Sequence, residues 1–363
     1  MKILMIITGL GMGGAEHQVC NLADDLTSRG HSVKIAYLLK PVIVKPKSEK
    51  IDLIWLGGGK SLLSIFSAFF CLVKIIKKYK PDVVHSHMFH SNILSRLARI
   101  FISIPHLIGT THSNNEGNKL RMFAYRITNS LTDIFTGVSQ STIASFEAKK
   151  AVHKNKMISI YNGVDINYFK FNENSRKQLR TEYNLQNKKV FIAVGRFHEA
   201  KDYPNLLNAF DILLKTHINI HLLIVGDGEL RNTIEKVILE RNLGGYITLL
   251  GIRKDIPELL SAADIFVLPS AWEGFGLVVA EAMACKRIVV ATDCGGVNEI
   301  VGEAGFLVTP KDSKALASGL DQALKLNLEE RKKLGETARF RIVQHYGLEA
   351  ATEKWLSVYS ARS

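Results

Sequence analysis

The sequence predicts an α/β protein of two facing Rossmann-like domains, each built on a mainly parallel sheet, with a cleft between them. Apolar, β-rich runs alternate with helix-period runs along the whole chain, the pattern of parallel strands joined by helical crossovers. Two such series are separated by a polar, charged stretch without strand pattern, Lys170 to Lys189. The chain has 363 residues, too many for one ordinary open sheet. That length suits two domains of roughly 170 residues each.

The first series predicts strands at Lys2 to Ile7, Val33 to Leu39, Ile51 to Leu56, Val83 to His85, Leu107 to Thr111, Ile134 to Val138 and Met157 to Ile160. Between the first two, Ala15, Val19, Leu22, Ala23 and Leu26 recur at helical spacing. The second series predicts strands at Val190 to Val194, Ile220 to Val225, Tyr246 to Leu250, Ile265 to Leu268, Ile288 to Ala291 and Gly305 to Val308. Beyond about Glu329 only helical pattern remains. The expected organisation is therefore a first Rossmann-like domain over 1–169, a linker over 170–189, a second Rossmann-like domain over 190–345, and a C-terminal helix over 346–363 that packs back on the first domain.

Composition sets the outer bounds. Hydrophobic residues are 47% and charged residues 22%, which supports substantial cores and excludes a disordered chain. The formal charge of +13 favours anionic partners, whether nucleotides, nucleic acids or acidic lipid headgroups. Cys20, Cys71, Cys285 and Cys294 form no C-x-x-C pair and no zinc spacing, which points to reduced thiols. The apolar run Ile3 to Ile7 is cut off by Thr8-Gly9 and reads as a strand, not a signal-peptide core. Leu62 to Ile76 is the most hydrophobic segment, but it falls short of the ~20 residues of a spanning helix. Lys74 also interrupts it, so it reads as a packed or interfacial helix.

The first candidate site is Gly9-Leu10-Gly11-Met12-Gly13-Gly14, which satisfies G-x-G-x-x-G after a strand and before a helix. A dinucleotide site also wants an acidic residue ending the second strand. That strand ends Tyr37-Leu38-Leu39-Lys40, which weighs against NAD. What stays is a glycine loop able to approach an anion or a sugar. Polar residues then collect at the ends of later strands: His85, Ser86, His87 and His90, followed by Thr110, Thr111, His112 and Ser113. Without a matched carboxylate cluster, the H-x-H reads as hydrogen-bonding histidines at a cleft rim and not as a metal site. A crevice-loop histidine such as His112 suits sugar hydroxyls.

In the second domain Gly195-Arg196 ends the first strand and Lys201 follows in the same loop. A forked guanidinium with a point-charge ammonium suits a diphosphate. Ser270 to Glu281 reads S-A-W-E-G-F-G-L-V-V-A-E, an E-x7-E pattern with Glu273 before a helix and Glu281 two turns into it. The turn through Gly274, Phe275, Gly276 and Leu277 would aim helix N-terminal N–H groups at a phosphate. Glu273 would face the sugar and Glu281 the ribose.

Taken together, these residues resemble the fourth family of retaining glycosyltransferases, with the GT-B fold. The likeness rests on Gly13-Gly14-Ala15-Glu16, the His85/His87 segment, Asn162-Gly163-Val164-Asp165, Gly195-Arg196 with Lys201-Asp202, Val225-Gly226-Asp227-Gly228 and the E-x7-E segment. It departs from the family pattern at Cys285-Lys286-Arg287-Ile288 and at Asn298. The resemblance implies Arg196 and Lys201 on the donor diphosphate, Gly195 and the Gly274 to Leu277 turn beside them, Glu281 on the ribose and Glu273 on the transferred sugar. It implies His112 beside the reacting bond, with Gly13 and Gly14 beneath phosphate and acceptor and His85 and His87 on the acceptor side.

The implied activity is retaining, metal-independent hexosyl transfer from a UDP- or GDP-sugar to a saccharide hydroxyl, with no other cofactor and no nucleic-acid partner. A lipid-linked acceptor of lipopolysaccharide or O-antigen type, and a cytoplasmic protein peripheral on an anionic membrane, go with it. The competing readings are a nucleotide-sugar epimerase, or a protein that binds nucleotide sugars without turnover.

Overall fold

The computed structural model of the chain describes residues 1–59 and 61–361, with Leu62 described by its backbone alone. Two compact units emerge: Met1–Gly163 with the segment from Leu348 onward, and Val164–Gly347.

The first unit holds one seven-stranded parallel sheet: β1 (Lys2–Leu10), β2 (Ser32–Val42), β3 (Asp52–Trp55), β4 (Val83–His87), β5 (Leu107–Thr111), β6 (Ile134–Gly137) and β7 (Ile158–Ser159), in the order β3-β2-β1-β4-β5-β6-β7. Helices α1 (Gly14–Ser28), α2 (Leu62–Tyr79), α3 (Phe89–Phe101), α4 (Lys119–Thr128) and α5 (Gln140–Ala148) are its crossovers. Strand order reverses between β1 and β4, and right-handed crossovers then put α1 on one face and α2 to α4 on the other. The core follows that division. Ile3, Met5, Ile7, Val19, Leu22 and Leu26 cluster with Trp355 of the C-terminal helix Leu348–Ser360. Leu4, Ile6, Ala36 and Val84 cluster with Ala68, Leu72 and Ile76 of α2.

The second unit repeats the plan with six parallel strands: β8 (Lys189–Val194), β9 (Ile220–Val225), β10 (Ile247–Gly251), β11 (Ile265–Leu268), β12 (Ile288–Thr292) and β13 (Phe306–Val308), in the order β10-β9-β8-β11-β12-β13. Around it lie α6 (Glu173–Glu182), α7 (Tyr203–Leu214), α8 (Arg231–Glu240), α9 (Ile256–Ala262), α10 (Leu277–Ala284), α11 (Val297–Val301), α12 (Ser313–Lys325) and α13 (Leu328–His345). Here the order reverses between β8 and β11. Open α/β sheets bind ligands outside the carboxyl ends of strands at such a switch point.

Two details differ from the sequence expectation. Strand β1 continues to Leu10 and pairs Gly9 with Leu39, so Gly9 lies in the strand and not in the loop. The polar stretch 170–189 carries α6, where Arg176 donates to the carbonyls of Ser261, Ala262 and Ala263 and pairs with Asp264 at 2.5 Å. Its charges therefore dock it on α9, and the units divide earlier, at Gly163/Val164. Helix α13 belongs to the second unit, and the helix from Leu348 to the first. The last two residues of the 346–363 segment lie outside the described residues.

Candidate active site

At the switch point of the second unit, β8 runs into Gly195, whose carbonyl accepts from the Tyr203 hydroxyl at 2.8 Å. The turn after β9 crosses this loop so closely that a Cβ on Gly226, at φ +142°, would stand 2.0 Å from the Gly195 oxygen. Only glycine fits there. A 3₁₀ turn, Glu199–Lys201, follows, capped by the His198 ring accepting from Ala200 N–H at 3.1 Å. Ala271 N–H donates to Ala200 O at 2.8 Å, which ties this turn to the loop after β11. That tie places Lys201 against Glu273, Nζ to Oε1 2.5 Å, with both side chains mostly buried. Ser270 donates its hydroxyl to the same oxygen at 2.8 Å, and Thr292 pins the Ser270 carbonyl at 2.6 Å.

Gly276, at φ +91°, caps α10 and its carbonyl accepts from Val279 N–H at 2.9 Å, and the N–H groups that open a helix lie ahead of any i−4 carbonyl. Phe275 and Leu277 are buried, so at the expected donor site they contribute backbone and not side chain. Gly274 carries the same turn, its carbonyl accepting from Gly296 N–H at 3.2 Å. Glu281, one face further along α10, is partly open to solvent. Desolvation by the surrounding protein nevertheless pushes its carboxyl up to about 8, with Lys201 pulling weakly the other way. Desolvation thus favours the protonated form of Glu281, which can donate as well as accept. Arg196, expected on the diphosphate with Lys201, has an exposed side chain whose Nη2 pairs with Glu229 at 3.1 Å. A phosphate on that guanidinium would share it with the carboxylate or replace it.

In the first unit Gly13 caps α1, and its carbonyl accepts from the His17 ring at 2.9 Å, with Gly14 opening the helix. His85 and His87 are not rim residues, since both are buried. The parallel register pairs them with Met5 and Ile7, which points both rings at the α1 face. His85 is saturated on both ring nitrogens. Nε2 lies 2.7 Å from the Thr110 hydroxyl, which is itself 2.7 Å from the Thr136 hydroxyl. Nδ1 lies 2.7 Å from the Tyr359 hydroxyl. This corrects its expected acceptor-side role: His85 is a core residue with no free nitrogen.

His87 packs against His85 with centroids 3.9 Å apart and the ring planes inclined by 41°, and it places Nδ1 3.1 Å from Nε2 of His112. Burial, aided by the neighbouring histidines, lowers the pKa of His87. Burial brings that of His112 to about 4, so both are neutral. Glu116, which the sequence reading missed, accepts from His112 N–H at 3.3 Å and from Tyr125 OH at 2.5 Å, holding the loop that carries His112. Ser270 and Glu229 were missed as well. The only signals for them were an S-x-x-E spacing and a position just after Gly226-Asp227-Gly228.

The chain matches the model of "Glycosyl transferases group 1" over residues 175–341 and that of "Glycosyltransferase Family 4" over residues 12–168. It is 32% identical to an uncharacterized glycosyltransferase of Methanocaldococcus jannaschii, MJ1178, over 73% of this chain and 71% of that one. It is 28% identical to the UDP-Gal:alpha-D-GlcNAc-diphosphoundecaprenol alpha-1,3-galactosyltransferase of Escherichia coli, over 82% and 80%. Its 32% identity to N-acetyl-alpha-D-glucosaminyl L-malate synthase of Bacillus anthracis covers 63% of this chain but only 59% of that enzyme. Among solved structures, HepE of Anabaena, in complex with UDP and glucose, superposes with a TM-score of 0.86 at 21% identity over 99% of both chains. That likeness concerns the fold.

Proposed function

Because the chain belongs to the group 1 glycosyltransferases, we propose that it transfers a hexosyl group, with retention and without a metal, from a UDP- or GDP-sugar to a saccharide hydroxyl. The observation that carries this reading is the group at the second unit's switch point. There Lys201, Glu273 and Ser270 meet beside the start of α10. Charge grows on the leaving diphosphate as the glycosidic bond breaks, and preorganised cations and N–H groups are the effective way to stabilise it. Lys201 supplies the cation, the α10 N-terminus supplies dipole and donors, and Arg196 joins once phosphate displaces Glu229. Glu273 faces the transferred sugar and Glu281 bonds the ribose; within the first unit, His112 offers a ring nitrogen to a sugar hydroxyl. The relative from E. coli is named for a UDP-sugar donor and HepE binds UDP and glucose, which supports a nucleotide sugar here.

A panel of nucleotide sugars, screened for released nucleoside diphosphate with and without a saccharide acceptor, tests the reading. Binding without release on every donor would favour a non-catalytic binding protein, and release without acceptor-dependent product would favour neither. The anomeric configuration of the product, read by NMR, is expected to match that of the donor, and inversion would overturn retention. EDTA is expected to leave most activity in place. Loss that only added Mg²⁺ or Mn²⁺ restored would place the leaving-group charge on a metal instead.

Glu281 sets a pH signature. Its carboxyl titrates at about 8 in the free protein, and the ionised form would repel a diphosphate. We expect kcat/KM for the donor to fall as pH rises through about 8, since that parameter reports the free enzyme. Glu281→Gln should flatten this limb. An unchanged profile in the variant would remove Glu281 from the donor site.

The acceptor is proposed to be lipid-linked and the protein to sit peripherally on the cytoplasmic, anionic face of a membrane. Among the described residues no helix is long and apolar enough to cross one. Helices α2, α3 and α4 share one face of the first unit's sheet, and none contains an Asp or Glu. That face exposes Leu63, Phe66, Phe70, Leu97, Ile100, Phe101, Leu120, Phe123 and Ile127, with Lys74, Lys77, Lys78 and Lys80 exposed beside them. Apolar side chains within a wholly cationic setting suit an anionic bilayer interface, where each lysine contributes about 1 kcal/mol. Sedimentation with phosphatidylglycerol vesicles is expected to fall as salt rises. It should also fall when the four lysines are neutralised or when Phe123 and Ile127 become Asp. No binding at low salt would point to a soluble acceptor.

A further inference from the structure

Two polar atoms at the carboxyl ends of the central strands are left over by everything described so far. His112 Nδ1 and His87 Nε2 are both buried, and neither has a hydrogen-bond partner. They are the two outer nitrogens of the pair whose inner nitrogens, His87 Nδ1 and His112 Nε2, meet at 3.1 Å. Leaving a buried imidazole nitrogen unsatisfied costs about 1–3 kcal/mol, and the fold here leaves two in one place. It does so where β4 and β5 end beside the glycine loop after β1, at the switch point where such sheets receive ligands.

The chemistry of the pair is constrained. Each ring is neutral and so carries one N–H and one lone pair. If His87 Nδ1–H donates inward, His112 Nδ1 carries the outer N–H and His87 Nε2 the outer lone pair. If His112 Nε2–H donates inward, the outer roles exchange. Either way the pair ends in one donor and one acceptor, and the two tautomers switch together. A phosphate or carboxylate wants only donors, whereas sugar hydroxyls donate and accept. His85 cannot serve this purpose, because Thr110 engages its Nε2 and Tyr359 its Nδ1. It supports the pair from behind as a tilted ring with its centroid 3.9 Å from that of His87.

We propose that His87 is the positioning residue for His112, holding its ring plane and coupling its tautomer, so that His112 Nδ1 meets a neutral sugar hydroxyl in whichever polarity the hydroxyl offers. This rests on the glycosyltransferase reading for the identity of the ligand. His87 does not touch the reacting atoms. Its effect is transmitted through one hydrogen bond, and the hydroxyl it serves belongs to an uncharged part of the sugar.

Three substitutions separate the parts. Asn at 87 keeps a polar atom near the position of Nδ1 and so keeps the bond to His112. Gln keeps one near Nε2 only, and Leu keeps neither. With the best donor from the nucleotide-sugar panel, His87→Leu is expected to lower kcat by roughly tenfold or more, the scale of one transition-state hydrogen bond. Donor KM should change by less than about threefold, since ground-state anchoring lies elsewhere. His87→Asn should recover most of that loss and His87→Gln little of it, with thermal melts confirming that all three fold. Wild-type kcat in His87→Leu, or His87→Gln equal to His87→Asn, would overturn the positioning role.

A second measurement does not depend on turnover. In full-length protein carrying ¹⁵N-histidine, methyl α-glucoside, methyl α-galactoside and methyl α-mannoside are titrated in turn. The His112 Nδ1 resonance is expected to shift with at least one of them, and in His87→Leu that response should be lost. No shift with any of the three would show that the outer nitrogens hold ordered water only, and the inference falls. A shift in a protein that turns over no nucleotide sugar would retain the inference and remove the transferase reading.

Discussion

Replacing Lys201 by Ala is expected to lower kcat by about 10²- to 10³-fold, the usual cost of deleting one preorganised stabiliser of a charged transition state. Lys201 is the cation built into the switch point of the second unit, held there by the Ala200–Ala271 backbone bond and by Glu273. The same substitution strips Glu273 of its counter-charge in a mostly buried position, so the melting temperature should fall as well. Lys201→Ala combined with Glu273→Gln removes both charges and should recover stability without recovering activity. Nucleoside diphosphate release and a thermal melt on the two variants check this. Activity within about threefold of wild type in Lys201→Ala would mean that the leaving group is stabilised elsewhere.

The second large effect is a split between the two glutamates of the E-x7-E segment. Glu273→Ala is expected to reduce kcat by about 10²-fold or more with little change in donor KM, because its proposed partner is the reacting sugar. Glu281→Ala should mainly raise donor KM, because ribose hydrogen bonds are made equally in ground and transition states. Initial-rate kinetics with the identified donor separate the two. Equal, wild-type-like parameters in both variants would sink the site assignment. Glu273→Ala also frees Lys201, so its effect and that of Lys201→Ala should be far from additive.

Much of the architecture was legible in the sequence because parallel strands are buried on both faces and appear as near-continuous apolar runs. All thirteen strands fall where those runs lie, with ends displaced by a few residues. The largest displacements are the three-residue extensions of β1 to Leu10 and of β2 to Val42, because these two ends pair with each other. The stretch 170–189 was opaque for the opposite reason. Its helix is held by guanidinium bonds to carbonyls and a carboxylate some eighty residues away, and no local periodicity records such partners.

At the site, the sequence by itself determined which chemical groups are present: a lysine and two glutamates around a glycine-started helix, an arginine in the preceding loop, and a histidine ending a strand. Glycine turns and helix starts are short-range features, so their places could be read directly. Only the tertiary structure decided how those groups are used. It joined Lys201 to Glu273 across the sheet, turned Arg196 to Glu229, and raised the Glu281 carboxyl by burying it. It also moved His85 and His87 from an expected rim into the core, one saturated and the other tied to His112. The physical reason is the same in each case. Burial, charge pairing and proton direction depend on which strands lie side by side, and in a doubly wound sheet the neighbours at the switch point are far apart in the chain.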